Sequence, residues 1–204
     1  MPSPRLTRSM LEASEAVCLF YVQRGSVAFK GDELADAAGL SERTFYRYFP
    51  TKHEAVRPVL DWGSTLLADT IRTRTDLAIS EAVIAGFDLG VGGEHAARTR
   101  GLFPLLFRDA GLRAVLLQAF HDGEELVRPA LAERLGVDAP SVRARVASAT
   151  TFAVIRVALE ELIDAGRDPV DALREAIAEL SIFSHARPDH RSGPHEHLKR
   201  STTP

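Results

Sequence analysis

The stretch GLSERTFYRYFPTK, residues 39–52, decides how this chain is read. Phe45 and Phe49 stand one helical turn apart, so on a helix they share an inward face with Leu40. Glu42, Arg43, Tyr46 and Arg47 then face outward. Ser41 is placed to cap this helix and Pro50 to end it. Just upstream, DELADAAG (residues 32–39) reads as a shorter helix with Leu34, Ala35 and Ala38 inward, a start near Gly31 or Asp32, and Gly39 at its close. Asp32 to Phe49 is therefore a helix-turn-helix unit.

Further upstream, Leu6, Met10, Ala13, Val17, Phe20 and Tyr21 recur at steps of three and four, one apolar stripe along a helix that Gly25 can terminate. Downstream, Thr51 and Glu54 have capping-box spacing, so a fourth helix is expected to begin at Lys52 and run to about Arg74. Pro58 falls inside it, and a kink or local adjustment is expected there. Helices over roughly 78–90, 94–108, 112–135, 141–165 and 169–185 follow, separated by breaks rich in Gly, Pro and Asp. No segment has the period of two that a strand requires. The fold class is thus all-α, with about nine helices. An N-terminal three-helix domain (residues 1–52) precedes a larger helical domain (53–185), and residues 186–204, with Leu198 as their one large apolar side chain, read as a disordered tail.

The chain has 204 residues, 45% hydrophobic and 26% charged, an ordinary globular composition. No apolar run approaches the roughly 18–20 residues that cross a bilayer. Glu12 and Glu15 interrupt the N-terminal segment where a secretory signal would be apolar, and the single cysteine, Cys18, reads as a small buried hydrophobe. A cytoplasmic location is the expectation from these features. Net charge is only -3, and acids and bases balance over residues 1–55, so any nucleic-acid contact must come from local placement.

Two arginines four apart on an exposed helix suit the width and chemistry of the B-DNA major groove. The same spacing also fits a solvated amphipathic helix whose arginines pair with neighbouring carboxylates. The run ELADAAGLSERTFYRYFPTKHEAV (residues 33–56) closely resembles the DNA-binding domain of the tetracycline-repressor-like (TetR) family of bacterial transcriptional regulators. The resemblance rests on Leu34-Ala35, Ala38-Gly39-Leu40-Ser41, Thr44-Phe45-Tyr46, Tyr48-Phe49 and Lys52, and spans residues 5–60 with Phe20, Tyr21 and Gly25 at the end of the first helix. It implies that Glu42, Arg43, Thr44, Tyr46 and Arg47 contact bases or flanking backbone, that Tyr48 and Lys52 contact phosphate, and that Ser41 belongs to the same DNA-binding set. One departure stands out: where the family carries a Thr-Thr pair and an aliphatic residue, this chain has Phe29, Lys30 and Gly31. Lys30 could supply a charged phosphate contact there, and Asp32 the cap.

The resemblance further implies a homodimer on a palindromic operator, an interface on the last two long helices, and a small-molecule effector enclosed by the middle helices. In the first of the interface helices, Ala147, Ser148, Ala149, Thr150, Thr151 and Ala153 are small enough for close approach; in the second, Val170, Leu173, Ile177, Leu180 and Phe183 are apolar. Trp62, Phe87, Phe103, Phe107 and Phe120 are the candidate pocket aromatics, with His121, Gln118 and Arg156 as polar groups. Each of these aromatics could equally be plain core. No catalytic residues, metal ligands or cofactors are expected: adjacent acids such as Glu124-Glu125 point about 100° apart on a helix, and the glycines of GVGGE lack a preceding strand. The histidines at 185, 190, 195 and 197 lack structural zinc spacing. A different class, an all-helical small-molecule binder or enzyme with a vestigial helix-turn-helix, is the alternative.

Overall fold

The structure, a computed structural model, describes residues 8–180. Leu6, Phe183, His185 and the tail with its three histidines lie outside the described residues. Nine α-helices and two short 3-10 turns, with no strand, make up the described part.

Helix α1 (Arg8–Arg24) buries Ala13, Ser14, Val17, Cys18 and Tyr21, the face its three-and-four spacing dictates. Burial in apolar surroundings pushes the Cys18 thiol up to about 12, with the Glu15 carboxylate adding to the rise, so this sulfur packs and does not react. Helices α2 (Gly31–Ala37) and α3 (Glu42–Tyr48) meet at a turn in which Gly39 takes φ +64°, a conformation that carries a steric cost for residues with a Cβ. At α3, the Ser41 hydroxyl accepts the Thr44 N–H at 3.3 Å, the expected cap.

The fourth helix departs from expectation. Residues His53–Val56 form a 3-10 turn, and α4 proper is Arg57–Thr73. Thr51 Oγ1 still accepts the Glu54 N–H, at 3.3 Å, but what it caps is the 3-10 turn. Pro58 consequently stands in the first turn of α4, where its missing N–H costs nothing, and the 3-10 turn is the local adjustment. The Val59 N–H, an orphan donor of that first turn, is met from another helix: Ser14 Oγ of α1 accepts it at 3.3 Å.

Beyond α4 come α5 (Ile79–Val91), α6 (Ala96–Arg108), α7 (Ala110–Leu135), α8 (Val142–Ala165) and α9 (Pro169–Glu179). Helix α6 starts later than its sequence pattern indicates because Gly93–His95 form a 3-10 turn. Helix α7 starts earlier because Asp109 caps it, its Oδ1 accepting the Leu112 N–H at 2.9 Å. Helix α4 packs on α1, α5 and α7, and α8 packs on α7 and α9. Arg134 of α7 reaches across to the C-terminal end of α4, donating to the carbonyls of Ile71 (2.9 Å), Arg74 (3.1 Å) and Leu77 (2.6 Å). No helix among the described residues is long and apolar enough to cross a membrane.

Helices α4 and α5 come close because Gly86 has no side chain: a Cβ there would lie 2.9 Å from Leu67 Cα and 3.1 Å from Thr70 Cβ. A Cβ at Gly63 would meet nothing within 4 Å. Gly86→Ala is therefore expected to lower the unfolding free energy by about 1–3 kcal/mol through overpacking. Gly63→Ala should raise it by up to about 1 kcal/mol through helix propensity. Urea denaturation of the two variants checks both signs.

Candidate nucleic-acid interface and interior cavity

Phe45 and Phe49 are fully buried, with ring centroids 5.1 Å apart in an edge-on contact, and they fix the rotation of α3 about its axis. Ser41, Glu42, Arg43, Tyr46 and Arg47 are exposed as a result, with Thr44 and Tyr48 half-buried at the edges. Neither Arg43 nor Arg47 makes an ion pair among the described residues; the Arg47 guanidinium instead lies over the Tyr48 ring, 5.4 Å from its centroid. The reading of α3 as an amphipathic helix whose arginines pair with neighbouring carboxylates does not match this geometry.

The loop ahead of α2 replaces the threonine arrangement with other contacts. The Phe29 ring packs on Phe20 at 4.7 Å and stacks on Tyr21 at 6.3 Å. Its carbonyl accepts a 2.9 Å hydrogen bond from Lys52 Nζ, which ties the start of α2 to the segment following α3. Lys30 is exposed, and its backbone N–H is capped from within the helix by Glu33 Oε2 at 2.8 Å. Asp32 does not make the cap expected of it: its carboxylate bonds the Glu33 N–H at 3.0 Å, one residue further on. Gly31 is required for a separate reason, since a Cβ there would lie 1.9 Å from Tyr46 Oη. The missing side chain lets the Tyr46 phenol lie against the first turn of α2 while the residue stays 42% exposed.

In the larger half, α4, α5, α6, α7 and α8 line an apolar cavity of about 70 Å³. Phe87, Phe103 and Phe120 line it, together with Phe152, Leu67 and Ile155. Trp62, Phe107 and His121 do not. Trp62 packs edge-on against His95 with centroids 5.0 Å apart, Phe107 packs elsewhere on the core, and His121 is exposed. Gln118 faces out as well and donates to Asp122 Oδ1 at 2.8 Å, and Arg156 pairs with Glu160 at 2.6 Å. The polar members of the wall are Ser64 and Arg98, neither singled out by sequence reading. Arg98 is one of two arginines in AARTRG, and the helical phase that sends it inward and Arg100 outward follows from where α6 begins.

Residues 18–56 match the family model of the tetR family of bacterial regulatory proteins, and residues 75–183, more than half of the chain, match the MftR C-terminal domain. The chain belongs to the TetR family. It is a TetR-family transcriptional regulator, with a helix-turn-helix of the DNA-binding kind followed by a helical C-terminal domain. Among solved structures of similar fold is a Rhodococcus sp. protein assigned to the TetR-family transcriptional regulators, at 14% identity, TM-score 0.58, and 86% of this chain and 98% of that one covered. Another is FadR of Thermus thermophilus, a TetR-family repressor in complex with lauroyl-CoA, at 20% identity, TM-score 0.57, and coverages of 91% and 98%. A third is a TetR-family regulator from Streptomyces coelicolor, at 18% identity, TM-score 0.51, and coverages of 87% and 85%. At these identities the likeness is one of fold. No curated protein matches the chain by sequence.

In this TetR-family chain the start of α4 is tied to α7. Arg57 bonds Asp61 Oδ1 at 2.6 Å within α4 and reaches Asp122 of α7 with its other nitrogen. At Asp61 burial outweighs the guanidinium and raises the carboxyl above its ordinary value. At Asp122 desolvation also pushes upward, but hydrogen bonds from Arg57 and Gln118 outweigh it and hold the carboxyl below the usual range. Nearby, His53 Nε2 lies 3.9 Å from Asp109 Oδ1 at the head of α7. Arg57→Met removes the shared donor from two carboxylates. It should lower the unfolding free energy by about 1–3 kcal/mol, and a chemical-denaturation curve with an unchanged slope would confirm that the loss lies in the folded state.

Proposed function

We propose that this regulator binds a palindromic operator as a homodimer, reads it with α3, and is a repressor released when a small apolar or amphipathic ligand occupies the cavity. The observation that carries the reading is the outer face of α3: Arg43 and Arg47, one turn apart, exposed and without a carboxylate partner among the described residues, on a helix whose rotation is fixed by two buried rings. A guanidinium in this position can meet guanine O6 and N7 with two parallel hydrogen bonds. Glu42, Thr44 and Tyr46 would complete the contacts to bases and flanking backbone. Lys30, Tyr48 and Lys52 would meet phosphate, with Lys52 keeping its bond to Phe29 O through one of its three donors.

Dimerisation is supported by α8. Val142, Val146, Ala149, Ala153 and Val157 follow one another at helical spacing and are exposed, Val142 at 73% and Val146 at 58%. Leu180, beyond α9, is also exposed. Ser148, Thr151 and Leu173 point into their own subunit instead, so the self-associating face is the valine-alanine stripe and not the whole run of small residues. Two such stripes, packed about a two-fold axis, would set the spacing of paired α3 helices to half-sites roughly 34–36 Å apart.

Release follows from size. An engineered apolar cavity of roughly 150 Å³ holds a molecule such as benzene, and this one has about 70 Å³. A ligand larger than this space would push the walls apart, and one wall is α4 from Val59 to Leu67, which joins the DNA-binding half through the 3-10 turn His53–Val56. Such a ligand favours the widened state and with it a different spacing of the reading helices.

Titration of the full chain against the DNA upstream of its own gene is expected to show saturable binding that weakens steeply with salt. Arg47→Ala should cost about 1–3 kcal/mol, roughly 5- to 150-fold, on the operator and little on random DNA. Lys30→Ala should weaken both alike and lower the salt slope by about 1. Binding without sequence preference rejects the proposal.

A further inference from the structure

We propose that Arg98 is the anion receptor of the effector site, and that an effector with an anionic head and an apolar body acts by taking the Arg98 guanidinium away from Glu15 of the DNA-binding half. The inference rests on the effector-gated reading given above. Arg98 is the one charged side chain on the cavity wall among the described residues, and it is 7% exposed. Its guanidinium pairs with Glu15 of α1, donates to Gly90 O at 3.0 Å, and lies 5.8 Å from the Trp62 ring centroid. One buried cation thus touches the cavity, the α5 backbone, the aromatic ring of α4 and the first helix of the DNA-binding half.

The two partners differ in what separation costs them. Arg98 has no water to turn to, and an unpaired buried charge is strongly unfavourable, so it must keep an anion. Glu15 is 29% exposed and can be hydrated when released. A ligand carboxylate or phosphate arriving through the cavity can therefore substitute for Glu15 with little net desolvation. The converse, in which Arg98 leaves, is closed. A neutral ligand of equal size fills the same space without breaking this bond.

The geometry around the pair carries the consequence onward. One turn beyond Arg98, Gly101 faces α1 so closely that a Cβ there would lie 2.5 Å from Val22 Cγ1. The α1–α6 seam is thus a close contact with the Arg98–Glu15 ion pair beside it. At the neighbouring position on α1, Ser14 accepts the Val59 N–H in the first turn of α4. Releasing Glu15 frees α1 from α6 at the point where α1 also meets the helix that walls the cavity.

Trp62 is the only tryptophan of the chain, so its fluorescence reports directly on the neighbouring guanidinium. The full-length protein is titrated with octanoate, octyl phosphate, 1-octanol and octylammonium. Either anion is expected to bind about 10- to 150-fold more tightly than the alcohol, the range of a charge-assisted hydrogen bond, and the ammonium most weakly. The ratio of the two anions tells a carboxylate effector from a phosphate one. Glu15→Gln should tighten octanoate binding severalfold and shrink the octanoate-induced loss of operator affinity, which in the wild type lies within the usual coupling range of about 5- to 150-fold. Arg98→Gln should abolish the preference for anions over octanol. Equal binding of all four heads to the wild type, or unchanged octanoate affinity in Glu15→Gln, overturns the inference, and neither needs the Arg98 variant to fold. Selective operator binding with no head-group preference leaves the gene-regulatory reading standing and removes only this inference. The head-group ranking without selective DNA binding keeps the anion site and removes that reading.

Discussion

A seven-residue helix has no stability of its own in water, and α3 holds its place because Phe45 and Phe49 are driven into the core beneath it. Burying such rings contributes about 1.5–3 kcal/mol each, and their edge-on contact leaves little freedom of rotation. The outward presentation of Arg43 and Arg47 is a consequence of that burial. The surface chemistry of the N-terminal half therefore depends on an apolar contact behind it, and the polar face adds little to the stability of the helix that carries it.

Around α3 the chain substitutes one kind of contact for another. Where the family carries threonines, the start of α2 is met by a glutamate reaching backward to the Lys30 N–H. The loop is held by the Phe29 ring and by Lys52 bonded to its carbonyl. Gly31 accommodates a phenol where a side chain would otherwise sit. These contacts satisfy the same backbone demand, that the free N–H groups at a helix start find partners, with residues of different charge. The result leaves Lys30 exposed beside α2, a cation where a hydroxyl is usual.

Helix α4 is the element that both halves share. Its first turn donates a hydrogen bond to Ser14 and is tied to α7 through Arg57 and Asp122, its middle walls the cavity, and its last carbonyls are held by Arg134. It is thus tied at both ends and bordered by the cavity in the middle. Nothing in the spacing of residues 57–73 announces these ties, since Asp122 and Arg134 lie far along the chain and look like ordinary surface charges.

By itself the amino-acid sequence determined the helices, their turns and the helix-turn-helix, because periodicity, glycine breaks and caps act over a few residues and are legible within that span. The inward rings and outward arginines of α3 belong to the same class, a matter of phase on one turn of helix. Tertiary structure alone decided which aromatics line the cavity, selecting Phe87, Phe103, Phe120 and Phe152 and leaving Trp62 and Phe107 to pack elsewhere. It also decided that Arg98 turns inward to meet Glu15 across 83 residues of chain. An apolar stripe says that a side chain is buried; against what, and beside which gap, is settled only when five helices approach one another, and that information is carried by no local pattern.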